Sequence, residues 1–76
     1  MSKKAAEYHH KAAEHYEHAA RYHKEAAKHY EAGKHEPAAH YAHLASGHHQ
    51  YARHYAGEAA KTHVEDYGGK GKPASA

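Results

Sequence analysis

Thirteen of the chain's 76 residues are histidine, and their spacing is the first feature with chemical consequences. Imidazole is the commonest protein metal ligand, and carboxylates join it around Zn, Cu or Ni. On a helix, two donors share a face when they lie three or four residues apart. Glu7 with His10 meets that condition, and His10, Glu14 and His18 extend it to an i, i+4, i+8 ladder. His15 with His18 and His40 with His43 are i, i+3 pairs, while His54 with Glu58 is an i, i+4 pair. These nine residues are the expected ligands of a divalent transition metal ion such as Zn, Cu or Ni, held as a buffer or store. The chain has no Cys, which removes thiolate sites, disulfides and a thiol nucleophile, and argues against a Cu(I)-specific centre.

Other chemistry finds little support. A haem site needs a broad apolar lining, and beyond Ala and Tyr the chain offers only Met1, Leu44 and Val64. No phosphate-binding loop, dinucleotide fingerprint or nucleophile elbow is present, and Ser2, Ser46 and Ser75 have no triad partners around them. The expectation is a protein that is not an enzyme. Eleven Lys and Arg against nine Asp and Glu give a formal charge of +2 with His neutral, without a basic face for nucleic acid at neutral pH. Protonation of all the histidines would carry the charge to +15, so mild acid acts on this chain unusually strongly.

The elements that must position these side chains are written in alanine. Ala5, Ala12, Ala19 and Ala26 recur every seven residues, and so do Ala38, Ala45, Ala52 and Ala59. Such a repeat marks helices that pack on helices, with Ala at heptad position a. Between the two runs, Gly33-Lys34-His35-Glu36-Pro37 combines a helix-ending Gly with a helix-starting Pro. The spacing predicts helices over about 3–32 and 37–66, antiparallel because the connection is short. The segment 68–76, rich in Gly and Lys, has no period and is expected to be a flexible tail. Gly47 and Gly57 weaken the second helix, but the Ala register continues across both.

Position d reads Tyr8, His15, Tyr22, His29 and then Tyr41, His48, Tyr55, Thr62. With so few aliphatic side chains, Tyr and His must supply the bulk of any core. The expected interior is layered, each large ring lying over an Ala of the neighbouring helix, with Tyr hydroxyls and imidazoles as mutual hydrogen-bond partners. Ala6, Ala13, Ala20 and Ala27 at position b widen the apolar surface beyond one seam. The fold class expected is therefore all-α: an antiparallel hairpin that pairs with a second copy as a four-helix bundle, or in a higher homo-oligomer. In this second reading the ring layers give assembly specificity and acid sensitivity without any ligand. No apolar run approaches a membrane span and no signal-peptide core follows Met1, so a cytoplasmic location is expected.

The run AAEYHHK-AAEHYEH-AARYHKE-AAKHYEA, followed by GKHEP and AAHYAHLASGHH, resembles short His/Ala-rich predicted proteins of bacteria up to Tyr67. The resemblance implies a small helical protein and brings no activity with it. The Ala-at-a pattern also resembles close-packed antiparallel Ala coiled coils, which is a packing class rather than a function.

Overall fold

The computed structural model describes residues 2–67, and these form two helices, α1 (Ser2–Glu31) and α2 (His35–Tyr67). They pack against one another as an antiparallel hairpin. The expected tail, 68–76, lies outside the described residues.

Local chemistry explains the turn. α1 closes with the Lys34 N–H donating to the His29 carbonyl at 2.8 Å and the Gly33 N–H donating to the Tyr30 carbonyl at 3.0 Å. This is the paired bonding of a Schellman cap, which needs a left-handed residue between the bonds, and Gly33 supplies it with φ of 76°. α2 begins two residues earlier than the Pro37 start expected from sequence. The Lys34 carbonyl accepts the Ala38 N–H at 3.2 Å, which makes Lys34 the N-cap and leaves Pro37 inside the first turn. There its missing N–H costs nothing, since the first four N–H groups of a helix have no intrahelical partner. Glu36, in that same turn, complements the positive end of the helix dipole.

α2 runs unbroken through Gly47 and Gly57. A Cβ placed at either meets nothing within 4 Å, so Gly47→Ala and Gly57→Ala should each raise stability by about 0.5–1 kcal/mol, read by urea denaturation. Gly33→Ala should lower it by a similar amount, because its φ is positive. Equal responses at all three sites would contradict this turn geometry.

The seam is built on alanine. Ala38, Ala45 and Ala52 have no exposed surface, and Ala12, Ala19, Ala26 and Ala59 are nearly as buried. Ala5, at the open end, is only half-buried. Thr62 closes the buried set, its hydroxyl donating to the Glu58 carbonyl one turn back at 2.9 Å. No side chain larger than these is fully buried among the described residues. The molecule measures 55 × 24 × 12 Å, so its thinnest dimension is about that of one helix with its side chains.

Candidate functional site

Small a residues let the helix axes approach, and the d rings then meet across the seam. Tyr22 lies 5.9 Å from Tyr41, His15 lies 5.1 Å from His48, and Tyr8 lies 6.4 Å from Tyr55, all centroid to centroid and within 30° of parallel. Cross-links between layers complete a ladder. His29 stacks on Tyr41 at 5.3 Å, Tyr22 on His48 at 5.6 Å, and His15 on Tyr55 at 5.7 Å. Read from the turn outwards, the order His29, Tyr41, Tyr22, His48, His15, Tyr55, Tyr8 alternates strictly between α1 and α2. Each such ring pair adds roughly 0.5–1.5 kcal/mol beyond the area it buries.

The bonding in this ladder differs from the sequence expectation. The only side-chain hydrogen bond across the seam among the described residues joins His15 Nδ1 and His48 Nδ1, at 2.9 Å. Tyr and His stack face to face instead of bonding head to head. The rings are half-buried rather than sealed, so the polar ends reach the edge of the seam and no buried side-chain N or O lacks a partner among the described residues.

At the middle of the ladder three imidazoles gather. His18, one turn beyond His15, places its ring 4.8 Å from His48 and 6.4 Å from His15. Arg21 Nη2 donates to His18 Nδ1 at 3.4 Å, and Tyr51 stacks on His15 at 5.1 Å. Only one proton can occupy the line between the two Nδ1 atoms of His15 and His48, so one imidazole donates and the other must be unprotonated at that nitrogen. The pKa of His48 is lowered from 6.5, first by removal from water and then by the neighbouring His18 and His15.

The other expected ligands are placed differently. Glu7, His10, Glu14, His40, His43 and His54 are all exposed. Glu58 is half-buried and pairs with Lys61 Nζ at 3.6 Å. His40 and His54 lie beside Tyr41 and Tyr55 at 5.9 and 5.1 Å. Of the nine, His15 and His18 are the two brought together across a ring contact. Among the described residues, no group of three or more His, Asp or Glu side chains is gathered in position to hold a metal ion. His48 belongs at the centre and was missing from the expected ligands. The signal for it was its d position on the opposite helix, level with His15 once the two heptad runs are aligned antiparallel.

The two flat faces of the hairpin differ sharply in charge. Positions b and e lie side by side on each helix, and the contact of Tyr16 with His49 at 5.9 Å, both at e, shows that the two b/e strips share one face. On that face the sequence places Ala6, Ala13, Ala20 and Ala27 from α1, with Ala39, Ala42, Ala56 and Ala60 from α2. Among its described residues it carries one Lys, Arg, Asp or Glu, Arg53. The opposite face and outer edge, at c, f and g, carry the rest of the helical charges apart from Asp66, including the Lys28–Glu25 and Lys61–Glu58 pairs. No helix of the described residues is long and apolar enough to cross a membrane.

Compared with known proteins, the chain matches no family model, no curated sequence and no solved structure.

Proposed function

We propose that this chain is an assembly protein: a helical hairpin that pairs with a second copy through its b/e face to make a four-helix bundle. The reading is structural and non-catalytic, with the ring ladder setting register inside each hairpin. The observation that carries it is the almost complete removal of charge from one face of a hairpin one helix thick. A solvated face on so polar a chain, with mean hydropathy −1.26, has no reason to be kept free of Lys and Glu. An interface core does, since charged residues are depleted there and aromatic residues enriched. Tyr16, Tyr30 and Tyr67 all stand exposed on this face.

Size supports the same occupant. A face two helices wide and thirty residues long covers roughly 45 × 20 Å, or about 900 Å². About 800 Å² per partner is what a stable interface of standard size buries. The small b residues would let the second hairpin approach as closely as α1 and α2 approach each other.

The test is Ala13→Glu with Ala20→Glu, two substitutions at exposed helical positions that leave the intramolecular seam untouched. Light scattering on a sizing column should give a dimer for the parent and a monomer for the double variant, with α-helical circular dichroism retained at high concentration. A double variant that stays dimeric would remove the b/e face as the interface. Glu7→Gln with Lys28→Gln, on the charged side, should leave the dimer mass unchanged.

A specific observation also favours a metal-binding reading, though at a place other than the outer ladder. That observation is the His15 Nδ1–His48 Nδ1 contact of 2.9 Å.

A further inference from the structure

We propose that His15 and His48 form an interhelical clamp for a divalent transition metal ion of the Zn, Ni or Cu(II) type, with His18 positioned to turn in as a third donor. The clamp does not depend on pairing of two chains.

Geometry is the main support. The two Nδ1 atoms stand 2.9 Å apart and come from different helices. Imidazole nitrogens bind Zn at about 2.0–2.1 Å. Two such donors around one ion are therefore about 2.9 Å apart at a right angle and about 3.4 Å apart at a tetrahedral one. The observed spacing meets the first and needs a shift of about half an ångström for the second. His18, whose ring centroid is 4.8 Å from that of His48, is the nearest further imidazole. Its present bond from Arg21 is long, at 3.4 Å, and is readily given up.

The protons balance without acid or base. In the hydrogen-bonded pair one imidazole carries its proton on Nδ1 and donates it across the gap. On metal binding that proton moves to Nε2 of the same ring, both Nδ1 lone pairs face the ion, and no net proton is released at neutral pH. An all-nitrogen donor set suits Zn, Ni and Cu(II) and disfavours Mg and Ca, which take oxygen. Water completes the coordination where His18 does not.

The d rings lie on the side of the seam away from the b/e face. A groove of about 570 Å³ there is lined by Gly47, Gln50, Tyr51, His54 and Tyr55, and Tyr51 and Tyr55 both stack on His15. Gly47, immediately before His48, has no side chain to close it. Two cations stand near, Lys11 at 5.8 Å from the Tyr55 ring and Arg21 at His18, and among the described residues no carboxylate pairs with the three imidazoles. These neighbours set the expected affinity to that of a two-point clamp rather than of a sealed structural zinc site.

The experiment uses untagged, chelator-stripped protein titrated with NiCl2 and with ZnSO4 by calorimetry, alongside thermal melts. His15→Tyr and His48→Tyr are the informative variants. Tyr already occupies equivalent d positions, so the ladder is kept, while a phenol with its proton in place at pH 7 is a poor donor. One ion per chain, a melting temperature raised by about 5 °C or more at tenfold excess over Kd, and a tenfold or greater loss of affinity in each variant are expected. His10→Ala with His43→Ala should bind as the parent does. Absence of a melting shift in 1 mM metal, or parent-like affinity in His48→Tyr, would overturn the clamp. Mass measured in chelator reports on pairing separately, so failure of one proposal is distinguishable from failure of the other.

Discussion

Ala45→Leu should unfold the hairpin far more readily than its apolar gain would indicate, lowering stability by about 2–3 kcal/mol. Two effects oppose each other here. Three added carbons are worth about 2 kcal/mol of transfer if they can be buried without strain. Ala45, however, has no exposed surface and sits where the helices touch. A Leu there must push the axes from the close end towards the wide end of the usual 8–10 Å range. Tyr22, His48 and Tyr41 stack within 5.9 Å of their partners at that level, and His15 lies one step further along. The strain of that displacement cancels the transfer gain, and loss of three such ring contacts, at about 1 kcal/mol each, sets the net fall. For a chain this size each kcal/mol moves the melting temperature by about 4–8 °C, so a fall of 10 °C or more is expected. A rise would show that the seam has room, and the close approach of α1 and α2 would be wrong.

Acid is the second large effect. With chelator present, helicity followed at 222 nm should be constant from pH 8 to 7 and decline as pH falls below about 6.5. His48 has a folded pKa below its unfolded value of 6.5, so the unfolded chain binds more protons in this window. Stability therefore rises with pH through it, and is lost progressively as pH falls from 6.5 through the folded value. His18 and His15 from α1 act in the same direction on His48, and Tyr22 of that helix stacks on its ring. Full protonation of the remaining imidazoles adds self-repulsion on the way from +2 to +15. His48→Tyr should flatten the steepest part of the curve. Identical melting temperatures at pH 5 and pH 8 would contradict the half-buried placement of the ladder.

Much of the fold was legible because Ala does one thing at each heptad. Ala12, Ala19, Ala26, Ala38, Ala45, Ala52 and Ala59 could be assigned to a seam from spacing alone, and all are buried. Gly33 could be read as a cap because no other residue enters φ of 76° without strain. The start of α2 was misplaced by two residues, since Pro37 is tolerated anywhere in a first turn and spacing does not distinguish N1 from N3.

The site was harder to read for a physical reason. Ligand spacing along one helix finds pairs such as His10 with Glu14, and those fall on the exposed c and f positions. A contact between helices depends on the register of the hairpin, which the Ala runs contain but which one-helix spacing ignores. His15 and His48 meet because the register of the hairpin brings their d positions level. Stacking in place of Tyr–His hydrogen bonds follows from the same closeness: rings squeezed between Ala residues lie flat against each other, with their polar edges at the water boundary.

The most direct test of the assembly account is native mass spectrometry of the untagged chain at pH 7.5 in chelator, at micromolar concentration. The account predicts a metal-free species of twice the 8.4 kDa chain mass. A single population at 8.4 kDa, persisting as concentration is raised a hundredfold, would contradict it.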